Sequence, residues 1–381
     1  MKLLYITGQF EGKSHSSISG VFGKYLRSHM SVVRVFISSK IDATYFSDDD
    51  IFIPSRFKNH IFQQIEKYVD IKSIDFVLIR NYYRYLKQTL RLRKNSGCNF
   101  LIGFQQSHPF AFVTYYVSMK YDRFPLKRWI KAIDYKKKEY ANRWLLSKSD
   151  FFVPISLPLH ETFHQYYLGK LHPLGMGIDP GLVRPDRGNV DQQLYRFIYI
   201  GSVTHKIREF DTVLKGFADL EGKWELDIFT RDYTETMNML NNMNITDRRI
   251  KINKAISRES LLAEMQKYDV GINLMPDNPV WQTASPTKLM EYYGCGIPCI
   301  MSPITECRGL FEKRGAGWFC EFESSEIRGT VREVLSTRKS ELAAMGENGR
   351  RIIMESRNYK KMSEELFLFL KRLVQGPSES L

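Results

Sequence analysis

Short apolar runs alternate along this chain with longer stretches in which apolar positions recur at helical spacing. In the first half the runs at 2–7, 32–37, 76–80, 100–104 and 151–155 predict strands, and the stretches 20–30, 58–69 and 82–94 predict amphipathic helices. Strand followed by helix, repeated, argues a doubly wound parallel sheet. Residues 173–193 break the rhythm: Pro173, Gly175, Gly177, Pro180, Gly181, Pro185 and Gly188 crowd together, as expected of an interdomain linker. The rhythm then restarts, with strands predicted at 197–201, 224–229, 249–253, 269–274 and 297–301 and helices at 208–219, 258–267 and 286–294. The pattern gives a first domain over 1–172, a linker over 173–193 and a second domain over 194–356. A last amphipathic segment follows at 357–381, whose helix is expected to cross back onto the first domain. Two such α/β halves imply a cleft between them, with small ligands beyond the carboxyl ends of the strands.

Length agrees with that division, since 381 residues can build two cores. Charge adds something the pattern does not show. Residues 1–180 hold 27 Lys and Arg against 14 Asp and Glu, whereas the rest hold 29 against 28. So lopsided a balance points to a polyanionic partner on the first half, either nucleic acid or an anionic membrane surface. The opening run ends at Gly8, so it reads as a buried strand and not a secretory leader. No run approaches the roughly 18 apolar residues of a membrane span. The five cysteines, Cys98, Cys295, Cys299, Cys307 and Cys320, form no CxxC pair and have no histidine at ligand spacing. Reduced thiols in a cytoplasm, with no metal, are the expectation.

The richest stretch is Ser285-Pro286-Thr287-Lys288-Leu289-Met290-Glu291-Tyr292-Tyr293-Gly294-Cys295-Gly296-Ile297-Pro298. Ser285 is a favoured helix cap and Pro286 a favoured first residue, so a helix is predicted to open here. Its free N–H groups make an anion site, to which Lys288 adds charge. Glu291, one turn on, can accept from two vicinal ribose hydroxyls while the helix start holds a diphosphate. A capped surface helix with a Glu–Lys pair is the plainer alternative.

This stretch resembles the signature of the large retaining glycosyltransferase family of GT-B fold, roughly S-P-x-K-x-x-E-x-x-A-x-G-x-P. Gly201 is similar to the glycine turn after the first donor-domain strand. Arg208 in Lys206-Ile207-Arg208-Glu209-Phe210-Asp211 is similar to the basic residue that meets the donor phosphates, with Lys206 as its alternative. Gly175-Met176-Gly177-Ile178-Asp179 resembles the G-V-D linker, and Pro154-Ile155-Ser156 the strand-serine element before it. The resemblance implies two Rossmann-like domains facing a central cleft and a metal-independent, hexosyltransferase-like activity. It implies no cofactor beyond a nucleotide-sugar substrate, with a UDP-sugar favoured over a GDP-sugar. The base is expected against the loops holding Thr230 and Ile256. Many members carry a further glutamate eight positions before the one matched by Glu291. Here that position is Thr283, which leaves the donor sugar and the stereochemical outcome open.

In the first domain, Gly8-Gln9-Phe10-Glu11-Gly12 and Ser19-Gly20-Val21-Phe22-Gly23 resemble the glycine-bearing loop that faces the donor, with Ser19 and Gly20 on the sugar and acceptor side together with Thr283. His108, after Gln106-Ser107, is the catalytic candidate, able to bond the donor sugar or relay a proton, and His15 is a further one. If the enzyme retains configuration, the resemblance implies that the leaving phosphate itself takes the acceptor proton.

Residues 120–148 interleave ten Lys and Arg with Tyr121, Phe124, Trp129, Tyr135, Tyr140 and Trp144. Cations mixed with rings suit a lipid headgroup layer, with Lys127, Arg128, Trp129, Lys131, Lys136 and Lys137 facing it. The alternative is a solvated basic helix whose rings pack in the core. No nucleic-acid motif accompanies the segment, so nucleic acid is not the expected partner. The expected setting is cytoplasmic, peripheral on the inner face of the plasma membrane. A lipid-linked or membrane-bound glycan is the expected acceptor, in bacterial surface polysaccharide synthesis. A nucleotide-sugar 2-epimerase of similar fold and a non-catalytic binding protein with a degenerate cleft remain the other readings.

Overall fold

A computed structural model describes residues 1–9, 16–109, 125–182, 193–203 and 208–375, without the side chains of Lys127 and Arg128. The chain divides into two compact units, Met1–Gly175 with Tyr359–Leu381, and Met176–Asn358.

The first unit is built on eight strands: β1 (Lys2–Thr7), β2 (Ser31–Ser38), β3 (Tyr45–Ser47), β4 (Asp50–Pro54), β5 (Phe76–Arg80), β6 (Leu101–Gln106), β7 (Phe151–Pro154) and β8 (Lys170–Leu171). They lie in the order β3-β4-β2-β1-β5-β6-β7-β8, parallel except for the antiparallel pair β3–β4. Parallel strands covered on both faces need apolar residues at every position. In β1, Leu4 and Ile6 enter one core with Val33, Val35 and Ile79. Leu3 and Tyr5 enter the other with Phe76, Leu78 and Phe151. Helix Tyr359–Gln375 covers that second face through Tyr359, Met362, Leu366 and Phe369.

Several elements depart from the sequence pattern. The stretch 58–69 holds only a short helix, Ile61–Ile65, and 20–30 gives a wide-turned helix, Ile18–Tyr25, closed by a tighter turn at Leu26–Ser28. The β3–β4 hairpin is absent from the pattern because Asp48-Asp49-Asp50 reads as loop. Asp48 and Asp49 do turn the chain, with φ of 51° and 62°. Asp50 instead enters β4, where its carboxylate is buried and accepts from Arg34 Nε at 2.8 Å and from Arg27 Nη2 at 2.7 Å.

The second unit has six parallel strands: β9 (Tyr195–Ile200), β10 (Trp224–Thr230), β11 (Ile250–Lys254), β12 (Val270–Asn273), β13 (Cys299–Met301) and β14 (Gly317–Phe319). Their order is β11-β10-β9-β12-β13-β14. Helix Thr287–Gly294 lies close on this sheet because Gly271 has no side chain: a Cβ there would run into the Tyr292 ring. The Tyr292 hydroxyl then accepts from the Ile200 N–H at 3.1 Å and donates to the Ile198 carbonyl at 3.3 Å, pinning the helix over β9.

Candidate active site

Chain order reverses direction about β9, which has β10 on one side and β12 on the other. The crevice outside the carboxyl end of such a strand is where open α/β sheets hold ligands. β9 ends in Gly201, whose φ of 136° suits glycine. A Cβ at Gly201 would lie 3.5 Å from Lys288 Nζ, so the lysine head stands against that turn.

Lys288 is the most informative side chain here. Its stem is half-buried, but its ammonium nitrogen is sealed from solvent and has no hydrogen-bond partner. The nitrogen lies 3.8 Å from the centre of the Tyr199 ring, a cation–π contact. Burial, and then the Arg208 charge, push the Lys288 pKa well below the ordinary lysine value. Arg208 is placed by Trp281, over whose ring its guanidinium carbon lies at 4.8 Å. Two cations side by side, one without an acceptor, form a site for an anion with several oxygens.

The helix bearing Lys288 begins one residue later than expected. Pro286, with φ −75° and ψ 116°, occupies the cap position and no side chain caps the first turn. Ser285 is therefore a tie and not a cap. Its hydroxyl donates to Glu306 Oε1 at 2.7 Å and accepts from the Met176 N–H at 2.8 Å. Glu306 also pairs with Arg357 at 3.2 Å, so Ser285 locks the helix start to both ends of the unit's chain. The uncapped N–H groups of the first turn remain available to an anion.

Glu291 is 7 % exposed, and its Oε1 accepts from Arg258 Nε at 2.8 Å. Burial raises its pKa and the Arg258 charge opposes that rise. Arg258 opens helix Arg258–Met265, after the loop that carries Ile256, and its Nη2 is buried without a partner. Ile256 is exposed. Thr230 is 2 % exposed and engaged at the sheet end, its hydroxyl accepting from the Asp232 N–H at 3.0 Å and its carbonyl from the Ala255 N–H at 3.0 Å. Thr283 is buried, and its hydroxyl donates to the Val280 carbonyl at 2.9 Å, closing the short helix Pro279–Gln282. Lys206 lies outside the described residues.

In the first unit, His108 sits after β6 with Nδ1 3.3 Å from the Ser107 hydroxyl. Crowding around the ring, and then the Arg80 charge, lower its pKa. One side of His108 stays open to solvent, which limits the effect of crowding. Ser19 is exposed, whereas Gly20 is buried where a Cβ would strike the Tyr359 ring, which gives this glycine a packing role. His15 lies outside the described residues.

The basic segment forms helix Pro125–Leu146. Its rings do not all pack inward: Trp129 is 71 % exposed, Tyr140 71 % and Trp144 62 %. Leu126, Ile130 and Ile133 are exposed too, as are Lys131, Lys136 and Lys137. The side chains of Lys127 and Arg128 lie outside the description. Among the described residues no helix is long and apolar enough to cross a membrane.

The spacing of residues 285–298 marked this site, but it did not identify Tyr199, Trp281 or Arg258. Tyr199 and Arg258 reach the site from distant segments, and Trp281, just upstream of Ser285, belongs to no pattern that announces it.

Residues 212–367 match the family model described as glycosyl transferase-like. No curated protein matches the chain in sequence. Among solved structures, sucrose-phosphate synthase from Thermosynechococcus elongatus superposes with a TM-score of 0.75 at 12% identity, over 98% of this chain and 99% of that one. An alpha,alpha-trehalose-phosphate synthase (UDP-forming) from Burkholderia vietnamiensis gives 0.69 at 11% identity, over 100% and 99%. HepE from Anabaena, solved with UDP and glucose, gives 0.68 at 10% identity, over 97% and 99%.

Proposed function

We propose that this chain, whose residues 212–367 match a glycosyl transferase-like family model and whose fold is that of the solved structures above, is a GT-B glycosyltransferase that moves a hexose from a nucleoside diphosphate sugar to a membrane-associated, lipid-linked glycan of bacterial surface polysaccharide. The observation that carries the donor half is the sealed Lys288 ammonium without an acceptor. A buried charge is costly unless it is paired, and a donor diphosphate supplies the missing partner. Arg208 and the uncapped turn at Thr287 complete the anion site, and Glu291, held by Arg258, meets the ribose. A UDP-sugar is the preferred donor, a choice supported by the UDP held in HepE and by the UDP-forming synthase of similar fold. These groups stabilise the diphosphate as it leaves and gains charge, which is the part of transfer a protein can accelerate without a metal. Transfer with retention lets a departing phosphate oxygen take the acceptor proton as the new glycosidic bond forms.

The acceptor half is supported by helix Pro125–Leu146. At about 100° per residue, Leu126, Trp129, Ile130, Ile133, Tyr140 and Trp144 fall on one face about 100° wide. All six are exposed; exposed Lys136 stands at the margin of this face and exposed Lys137 within it. An aromatic-rich apolar face carrying exposed lysines fits the headgroup layer of an anionic bilayer.

Two measurements test this reading. UDP should raise the melting temperature more than GDP does, and Glu291→Ala should weaken UDP binding about tenfold or more, the worth of a charged hydrogen bond. Equal UDP binding by wild type and variant would remove the donor assignment. Sedimentation with vesicles containing anionic lipid should be salt-sensitive and should fall in a Trp129→Ser/Trp144→Ser double variant. Loss of neither would remove the membrane assignment and leave the donor site standing.

A further inference from the structure

We propose that the first unit carries a phosphate-binding subsite of its own, built on Arg80 and Ser17 at the switch point of its sheet, which takes a phosphate group of the acceptor. That the phosphate belongs to the acceptor rests on the transferase reading, whereas the anion site does not.

In the first sheet β1 has β2 on one side and β5 on the other, so chain order reverses between β1 and β5. Ligands of open α/β sheets gather outside the carboxyl ends at that place. β5 ends in Arg80 and β1 in Thr7, which is followed by Gly8 and Gln9. Arg80 is 2 % exposed and ranks among the largest fully buried side chains of the molecule. Its Nη1 donates to the Ser17 hydroxyl at a long 3.3 Å, and its Nε has no acceptor. Among the described residues no carboxylate pairs with it. Other arginines of the same unit are matched: Arg34 and Arg27 to Asp50, and Arg93 to Asp150.

A buried cation without a counter-charge among the described residues is costly, and an arginine cannot escape by losing its proton. Such a residue persists when its anion arrives from outside. The planar guanidinium suits two phosphate oxygens, and Ser17 is placed to donate to a third. Gln9 adds a buried Oε1 without a donor, ready for a sugar hydroxyl beside the phosphate. The turn is built firmly: Asn81, at φ 61°, donates from Nδ2 to the Ser107 hydroxyl at 2.7 Å and accepts the Ser107 N–H at 2.8 Å. His108 follows directly, near enough for the Arg80 charge to lower its pKa.

The test uses the full chain saturated with UDP, which occupies the second unit. Inorganic phosphate, titrated at ionic strength held constant with chloride, should raise the melting temperature and bind by calorimetry. Arg80→Met should abolish that response and, without phosphate, melt at or above wild type, because an uncompensated charge has gone. A purely structural arginine would show the opposite, a lower melting temperature. Ser17→Ala and Arg80→Lys, milder changes in case the methionine does not fold, should each weaken phosphate about tenfold while leaving UDP binding unchanged. Lys288→Met should keep the phosphate response. A wild type that responds no more to phosphate than to chloride, or Arg80 variants that respond as wild type does, would overturn the proposal. Should UDP not bind, the transferase reading fails, and the phosphate titration of Lys288→Met still decides on Arg80. Competition then identifies the source of the phosphate. Stronger displacement by geranyl diphosphate assigns it to a lipid carrier, and stronger displacement by a hexose 6-phosphate assigns it to a soluble sugar phosphate. Displacement by neither overturns the acceptor role.

Discussion

Each unit buries one cation at the switch point of its sheet, and the two are held in different ways. Lys288 lies on the face of Tyr199 next to Arg208, with its pKa pushed down. Arg80 lies among hydroxyls, close to Ser17 and to the Tyr5 phenol. An ammonium in such a place can wait for its anion by giving up its proton. A guanidinium cannot, so the first unit bears the cost of its empty site as charge, whereas in the second that cost favours loss of the lysine proton. The units also differ in their histidines: seven of the eight stand before residue 176, and only His205 stands after it. Among the described residues, the histidines whose rings are buried thus belong to the first unit, where acid can act on them.

Acid is the strongest test of that difference. His164 is buried with Nε2 unpartnered, and burial pushes its pKa down to about 4. His172 stacks on Phe369 at 5.0 Å, and burial followed by the Arg372 charge likewise pushes it to about 4. Both folded values lie below that of a free histidine, so the unfolded chain takes up protons first as pH falls. Their stability contribution is complete above about pH 6.5 and is lost as pH drops toward 4, on the order of 3 kcal/mol for each. The first unit should therefore unfold before the second in an acid titration followed by hydrogen exchange. His172→Phe, which keeps the stacked ring, should remove part of the acid loss. Equal protection of both units down to pH 4 would break the contrast.

Next comes Lys288→Met. Nucleotide affinity should fall about 100-fold, the worth of a charged hydrogen bond in a sealed site. The proton balance sharpens the point. Lys288 with its depressed pKa must be protonated to meet a diphosphate, so UDP binding should take up protons and weaken as pH rises through the range between its free and bound values. Calorimetry in buffers of different ionisation enthalpy should show this uptake in wild type and not in Lys288→Met. Phosphate binding at Arg80 should show no such uptake from the arginine. Identical proton uptake by wild type and Lys288→Met would break the comparison at its centre.

The two cations were not equally visible in the sequence. Lys288 was found because its neighbours in space are partly its neighbours in the chain: a proline, a helix start and Glu291 one turn on. Arg80 ends an apolar strand, and its surroundings come from Tyr5, Ser17 and Gln105, so no spacing announces it. Strand existence was legible for the same local reason, and β1 and β5 fall where their apolar runs do. The hairpin at Tyr45–Pro54 was not legible, because burial of Asp50 depends on Arg27 and Arg34. The role of Ser285 was misread in the same way. Local preference made it a cap, but Glu306 and Met176, both distant in sequence, hold its hydroxyl.

The smallest expected effect separates the two glycines that admit these sites. Gly201 stands at φ 136°, where a side chain is strained even though a Cβ meets nothing closer than Lys288 Nζ at 3.5 Å. Gly8, at the matching end of β1, has no such φ; a Cβ there would meet the Tyr82 ring at 2.5 Å, but Tyr82 is 42 % exposed and can swing aside. Gly201→Ala should cost about 1–2 kcal/mol through backbone strain and shift the Lys288 head with it. Gly8→Ala should cost less, since the turning of one exposed ring relieves it. Chemical denaturation of both variants, with UDP affinity measured alongside, checks the order. A larger loss in Gly8→Ala would mean that space, and not backbone conformation, sets the demand for glycine at the carboxyl ends of these strands.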